Sequence, residues 1–140
     1  MTEEEYLIDM LEYYTKDKNR RATTAVGPCV YSPTKTSEGC AIGRHLIGSL
    51  EDKKAWDCSG SISTCLDSIY RRNIKDIRPE WMKTMNTAFL EMIQNLHDIE
   101  HNWNEISGLS EEGKKELIRI IQLFNLDFTK FTKYLTPVIS

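Results

Sequence analysis

The chain has 140 residues, of which 40% are hydrophobic and 28% are charged, and its formal net charge is −3. This size and composition are typical of one soluble globular domain, so we predict a single domain over 1–140 that needs no metal or disulfide to fold. The negative net charge argues against a nucleic-acid partner, because such a partner requires a basic surface.

The first predicted element is a helix over about 3–16. Thr2 and Glu5 form a capping-box pattern at its start. Apolar residues then repeat at helical spacing, namely Leu7, Met10, Leu11 and Tyr14. The stretch that follows, KDKNRRATTAVGP, contains turn formers and no helical pattern, so we predict a loop there.

A short β-hairpin is predicted next. Residues 29–46 read CVYSPTKTSEGCAIGRHL, in which CVYS favours extended structure and CAIG can form the second strand. Pro33 and Gly39 favour a turn between these two runs. We predict a helix over about 42–50 after the hairpin, and then a loop in EDKKAWDCSGS.

Two helices are predicted in the middle of the chain. The first has Ser59 or Ser61 as its N-cap and one apolar face made of Ile62, Cys65, Leu66 and Ile69. The second begins at Pro79, which favours a first helical turn, and reaches about Trp103, a length of roughly 37 Å. Its apolar face consists of Met82, Met85, Phe89, Ile93 and Leu96.

The last two predicted elements are capped helices. Ser110 precedes a helix with an inner face of Leu117, Ile120, Ile121 and Phe124. Asp127 precedes a short helix that uses Phe128, Phe131 and Leu135. The predicted fold is therefore mostly α, a single small domain of about five or six helices with one short β-hairpin.

The start of the chain, MTEEEYLIDMLEYY, lacks the pattern of a signal peptide, and no apolar run approaches the ~20 residues of a membrane span. We therefore expect a cytoplasmic protein without a membrane partner. Cysteines in that compartment are usually reduced or bound to metal, and we expect the same of the four cysteines here. They are Cys29, Cys40, Cys58 and Cys65.

Neither cysteine pair has the spacing of a zinc site. Ten residues separate Cys29 from Cys40 and six separate Cys58 from Cys65, whereas structural zinc ligands usually lie two to four residues apart. We expect Cys29 and Cys40 to pack against each other across the hairpin. Cys65 lies on an apolar helix face, where a thiol behaves as a small hydrophobic group. No cofactor is predicted.

An alternative metal site is the sequence HDIEH at 97–101, which satisfies the H-x-x-E-H pattern of some zinc proteases. His97 and His101 are four residues apart on the predicted helix, so both imidazoles could bind one ion in a small metal-dependent hydrolase. A catalytic zinc needs a third protein ligand, and only 39 residues follow His101 to provide one. The competing interpretation is a polar flank of a long helix.

A catalytic thiol at Cys40 is a third possibility. Cys40 precedes a predicted helix start, where the helix dipole lowers the pKa of a thiol. His45 lies five residues later, about 140° around a helix, which is a poor approach for a base. We assign no catalytic residue, and a binding role is favoured over an enzymatic one.

Cations and hydroxyls cluster around the predicted hairpin. Together with the free N–H groups of a helix start, they are what a phosphate or carboxylate needs. The alternative is a solvated basic loop that balances the acidic first helix. The predicted ligand-binding residues are Arg20, Arg21, Thr23, Thr24, Lys35, Arg44 and His45.

The string Cys29-Val-Tyr31-Ser-Pro33 … Gly39-Cys40-Ala41-Ile42-Gly43 resembles a family of small proteins of tailed phages and prophages. That family has a Cys-x-Tyr strand, a turn containing Pro or Asp-Gly, then Cys-Ala-Ile/Val-Gly and a short helix, and later a Leu-Gln-x-x-His-Asp helix. The segments MIQNLHDIEHNW and LSEEGKKELIRIIQLFNLD are similar to its later parts. The resemblance covers roughly 20–127, and the residues KTSE in the turn depart from the shorter pattern.

The resemblance implies a small viral protein that works inside a bacterial cell, with His97 and Asp98 hydrogen-bonded to the hairpin. Small phage accessory proteins often act by binding, which suggests that this one counters a bacterial defence system. It would do so by sequestering an anionic nucleotide-type signal or by blocking a defence protein. A further alternative is a helical adaptor that self-associates through Trp56 and Trp81, because tryptophan is enriched at interface hot spots.

Overall fold

The structure, a computed structural model, describes residues 1–16, 41–56, 62–98, 102–104 and 108–135. The described chain is mostly helical, which confirms the predicted fold class. The α-helices are α1 Glu3–Lys16, α2 Leu50–Trp56, α3 Ile62–Arg71, α4 Glu80–Lys83, α5 Thr87–Asp98, α6 Glu111–Leu123 and α7 Thr132–Leu135. Two 3-10 turns cover Gly43–His45 and Phe128–Phe131, and two short strands are β1 Trp103–Asn104 and β2 Gly108–Leu109.

Helix α1 has the predicted bounds and the predicted cap. The Thr2 N–H donates to Glu5 Oε1 and the Glu5 N–H donates to Thr2 Oγ1, both at 3.1 Å, so each terminal N–H has a partner. The buried face of the helix consists of Tyr6, Leu7, Met10, Leu11 and Tyr14. The apolar repeat therefore identified this face correctly and missed only Tyr6.

The predicted helix over 42–50 is wrong. The chain makes only the 3-10 turn Gly43–His45 there and becomes extended at Leu46, with φ −65° and ψ 140°. The Ile47 N–H donates to the Ile77 carbonyl at 2.8 Å, which ties this extended stretch to the segment before α4. The tertiary hydrogen bond replaces the intrahelical bond that a continuous helix would have made.

The loop predicted in 51–61 is also wrong over its first half, because α2 occupies Leu50–Trp56. Ser49 and Asp52 form a reciprocal cap, with each backbone N–H donating to the other side chain at 3.1 Å. This S-x-x-D pattern is the signal that the sequence analysis overlooked. Trp56 ends the helix fully buried, and its indole N–H donates to the Lys75 carbonyl at 3.0 Å.

The single long helix predicted from Pro79 to Trp103 is interrupted and ends early. Pro79 is the N-cap of α4, and the chain leaves the helix after Lys83. The Asn86 side chain accepts a hydrogen bond from the Ala88 N–H at 2.8 Å, so α5 starts with its own cap. Asparagine binds nearby backbone in this way and so favours a helix start over a helix interior. Trp103 belongs to β1 instead of the helix.

The C-terminal elements follow the prediction closely. Ser110 accepts a hydrogen bond from the Gly113 N–H at 3.1 Å, and Asp127 accepts one from the Thr129 N–H at 3.0 Å. Phe131 is fully buried, as expected of the last helical segment, but Phe128 is 48% exposed and does not belong to the core.

The core lies where α5 contacts α3 and α6, with α1 packed against β2. Strands β1 and β2 form an antiparallel pair in which Trp103 pairs with Leu109 and Asn104 with Gly108. This pair was not predicted. The first strand and the turn of the predicted hairpin, together with Cys29 and Cys40, lie outside the described residues. Its predicted second strand is wrong over 41–43, because Ile42 has helical backbone angles (φ −86°, ψ −47°) and leads into the 3-10 turn. Gly108 has φ +83°, a conformation that favours glycine, and a Cβ added there would lie 2.8 Å from the Thr15 side chain of α1.

Candidate functional site

The 3-10 turn Gly43–His45 carries two of the predicted ligand-binding residues, Arg44 and His45. Backbone hydrogen bonds hold the turn, from the His45 N–H to the Ile42 carbonyl at 3.0 Å and from the Leu46 N–H to the Gly43 carbonyl at 3.1 Å. The preceding residues are buried, and the Tyr6 hydroxyl of α1 donates to the Ala41 carbonyl at 2.6 Å. The turn is therefore fixed against α1.

Arg44 and His45 both contact a carboxylate that the sequence analysis did not assign to a site. Arg44 Nη2 donates to Asp9 Oδ2, and His45 Nε2 lies 2.7 Å from the same oxygen. We call Asp9, Arg44 and His45 the Asp9 cluster. The side chains of Arg44 and His45 are 12% and 16% exposed, whereas that of Asp9 is 33% exposed.

The environment of the cluster favours the ionised form of Asp9. Burial raises the pKa of this carboxyl, but the hydrogen bond from His45 and the positive charge of Arg44 outweigh burial and leave the pKa below its ordinary value. Asp9 is therefore an anion in the folded protein at neutral pH.

Aromatic rings surround the two donors of the cluster. The Arg44 guanidinium carbon lies 4.2 Å above the centre of the Tyr13 ring, a cation–π geometry. The His45 ring meets Tyr6 and Trp81 edge to face, each at a centroid distance of 5.3 Å. These contacts fix both donors, so the cluster presents a guanidinium and an imidazole to one negatively charged oxygen.

Arg44 also has an unused donor. Its Nε atom is buried and has no hydrogen-bond partner among the described residues. A buried N–H of this kind is costly unless it gains a partner. The guanidinium thus has donor capacity beyond its bond to Asp9.

Five of the predicted ligand-binding residues lie outside the described residues. Asp9 could not be found from the sequence, because 35 positions separate it from Arg44 and it lies among other acids of α1. The sequence signal for this contact was that the acidic first helix precedes a basic segment, and charge balance between the two was the alternative interpretation of the predicted site. The five undescribed residues are Arg20, Arg21, Thr23, Thr24 and Lys35.

His97 of the alternative metal pattern is fully buried in α5. Its ring meets that of Tyr14 edge to face at 4.8 Å, so the imidazole packs in the core. His101 lies outside the described residues. Among the residues that are described, no three His, Cys, Asp or Glu side chains come together in a way that could hold a metal ion.

Cys65 departs from the predicted reduced thiol. It is fully buried on α3, as its apolar position indicated, but it is disulfide-bonded. Trp56 and Trp81 were predicted as possible anchors of self-association. In the structure Trp56 is fully buried, and Trp81 packs edge to face against Tyr6 and His45.

Glu4 of α1 binds the C-terminal part of the chain. It accepts from the Asp127 backbone N–H at 2.9 Å and lies 2.5 Å from Lys130 Nζ. The hydrogen bonds from Lys130 and Asp127 lower the pKa of Glu4.

Glu12 makes a second contact of this kind. It accepts hydrogen bonds from Lys133 Nζ and from the Tyr134 hydroxyl, and these bonds lower the pKa of Glu12. Burial, followed by the bond to Glu12, raises the pKa of Tyr134. Asp9 differs from Glu4 and Glu12 because its partners come from the turn at 43–45.

Comparisons of the chain with protein-family models, with curated proteins and with solved structures found no match. Within the described ranges, no helix combines the length and the apolar character needed to span a bilayer. The Asp9 cluster and its aromatic surroundings are therefore the structural basis for a functional proposal.

Proposed function

We propose that the chain is a phage-encoded binding protein without enzymatic activity, which sequesters an anionic nucleotide-type signal of a bacterial defence system. One observation carries the proposal, namely that Arg44 and His45 direct donors at a single anionic oxygen. Charge-assisted hydrogen bonds of this type are shorter and stronger than neutral ones and are how proteins hold phosphate groups.

The surroundings of the two donors support binding over catalysis. The guanidinium lies on the Tyr13 ring and the imidazole packs edge to face against both Tyr6 and Trp81, so both groups are already ordered. Donors that are fixed before binding lose less conformational entropy when a ligand arrives.

The position of the cluster in the chain supports the participation of the other predicted cations. These residues belong to the segment that runs from Lys16 to Ala41. Lys16 lies seven residues after Asp9, and Ala41 lies three residues before Arg44. Seven residues of helix span only about 10 Å. Ala41 is itself bonded to Tyr6 of α1. Both ends of the segment that carries Arg20, Arg21, Thr23, Thr24 and Lys35 thus lie beside α1.

Isothermal titration calorimetry against a panel of cyclic nucleotides and ADP-ribose derivatives tests the proposal. We expect one member of the panel to bind, and we expect Arg44→Gln to abolish that binding. Arg71→Gln is the matched control, because Arg71 pairs with Asp67 on an exposed surface of α3 and should leave binding unchanged. Circular dichroism establishes that both variants are folded.

Two results would contradict the proposal. One is the absence of binding across the panel, which would leave a protein partner as the remaining mode of action. The other is binding that is equally strong in the Arg44→Gln variant. Chromatography of the ligand after incubation tests the non-enzymatic part, since a sequestered ligand is recovered unchanged.

A further inference from the structure

We infer that Asp9 is a built-in competitor of the anionic ligand, so that the ligand binds by displacing the Asp9 carboxylate from Arg44 and His45. This inference rests on the proposed function and adds a means of regulation to the same site. It starts from the fact that Asp9 Oδ2 already occupies the point at which the two donors converge. An external phosphate oxygen that used the same donors would have to take that place.

Exposure indicates which member of the cluster can move. The Asp9 side chain is 33% exposed, while those of Arg44 and His45 are 12% and 16% exposed. The two donors are in addition held by aromatic contacts with Tyr13 and Trp81. Asp9 can therefore turn toward solvent while the donors keep their positions.

The helix that carries Asp9 does not need to move during this exchange. Its opposite face is buried, and its flanking acids already have other partners. Glu5 binds Thr2 at the helix start, and Glu12 binds Lys133 and Tyr134. A released Asp9 side chain thus meets water, and only its own rotamer has to change.

Displacement has a measurable consequence for affinity. If a carboxylate occupies the donors in most molecules, the apparent dissociation constant exceeds the intrinsic one by the reciprocal of the open fraction. Asp9→Asn keeps the size of the side chain but removes its charge, so it weakens the internal competitor. Because Asp9 is one-third exposed, its hold on the two donors corresponds to about 1–2 kcal/mol, so we expect a gain in affinity of about 5- to 30-fold.

The test is a calorimetric titration of inorganic pyrophosphate into wild type, Asp9→Asn and the control Asp67→Asn. The control removes the same charge from another arginine pair, on the exposed surface of α3, and corrects for the change in net charge. Asp9→Ser serves as a second variant in case Asp9→Asn folds poorly, and thermal melts establish which variants are folded.

We expect Asp9→Asn to bind pyrophosphate about 5- to 30-fold more tightly than wild type, with Asp67→Asn unchanged. Binding by Asp9→Asn alone, with none by wild type, also supports displacement, because the Asp9 carboxylate then excludes the probe from the natural cluster. Equal or weaker binding by Asp9→Asn overturns the inference and leaves the proposed function intact. An equal gain in both variants overturns it as a net-charge effect, and binding by none of the proteins overturns it outright.

Discussion

The substitution Asp9→Asn should lower the free energy of unfolding at neutral pH, because Asp9 joins α1 to the turn at 43–45. The carboxylate accepts from two charged or polar donors, Arg44 and His45. Asparagine keeps one acceptor oxygen at the same place but loses the charge. The variant thus weakens both contacts without removing packing.

The expected magnitude follows from the geometry. A hydrogen bond to a charged group contributes about 1.5–3 kcal/mol when it is buried, whereas an exposed ion pair contributes about 0.2–1 kcal/mol. The Asp9 side chain is one-third exposed, so solvent screening brings its contribution between these ranges. We expect a loss of about 1–2 kcal/mol, which for a chain of this size lowers the Tm by about 3–8 °C.

The loss should depend on pH in a defined direction. Because the folded-state pKa of Asp9 is lowered, its contribution is complete above the unfolded-state pKa of about 3.9 and disappears as the pH falls through the folded-state value. The stability difference between wild type and Asp9→Asn should therefore be present at pH 7 and shrink toward zero in acid.

Urea denaturation followed by tryptophan fluorescence measures this effect. A double-mutant cycle with Arg44→Gln isolates the coupling between the two side chains, and we expect about 1 kcal/mol at pH 7. Asp67→Asn is the control and should change stability by less than about 0.5 kcal/mol. A coupling energy below about 0.3 kcal/mol, or a stability difference that persists unchanged in acid, would refute this account of the cluster.

Three further outcomes are expected. Gly113→Ala should destabilise the fold by about 1–3 kcal/mol in urea melts, because the new Cβ would lie 2.1 Å from the Asn102 carbonyl oxygen. Alanine normally favours a helix, so an unchanged or higher stability would contradict this close approach. Glu12→Gln should reduce the Tm at pH 7, because it removes the charge that strengthens the hydrogen bonds from Lys133 and Tyr134. At a pH below the pKa of Glu12 the carboxyl is already neutral, so the Tm difference should disappear there. An equal Tm difference at pH 7 and at the acidic pH would contradict a role for the charge. Alkylation in denaturant should label Cys65 only after reduction, as peptide mass spectrometry would show; labelling without a reductant would contradict its disulfide.

The sequence predicted those elements in which local signals agree with tertiary packing. Helix α1 has both a capping box and an apolar repeat, and the structure has the same bounds. Ser110 and Asp127 cap their segments as expected, because the side-chain oxygen of the residue directly before a helix accepts from an N–H two or three residues later that has no other local partner. Such signals depend on a few neighbouring residues, so they can be read without the fold.

One error arose where a distant partner decides the conformation, and others arose from local caps that the apolar repeat did not reveal. The Ile47 N–H bonds to the Ile77 carbonyl, which no local pattern reveals, and the chain there is extended where a helix was predicted. The break before α5 came from the Asn86 cap, which the apolar repeat on both sides concealed. Strands of two residues, such as β1 and β2, are too short for an alternating pattern to be detected.

The candidate site was predictable only in part for the same reason. Arg44 and His45 are adjacent in the sequence and stood out as cations after a turn. Asp9 joined them through the packing of α1 against residues 41–46, a contact across 35 positions. The sequence identified the donors, whereas the three-dimensional fold supplied the acceptor that occupies them.

The most direct test of the central claim is an NMR titration of the Asp9→Asn protein with pyrophosphate, observing the Arg44 side-chain Nε–Hε resonance. If Arg44 and His45 hold an anionic oxygen, this resonance and the His45 ring resonances should shift together and saturate with the same dissociation constant. Resonances of Arg71, on the exposed surface of α3, should stay in place. Saturation of the protein with no movement of the Arg44 signal would contradict the claim, because the anion would then be bound elsewhere.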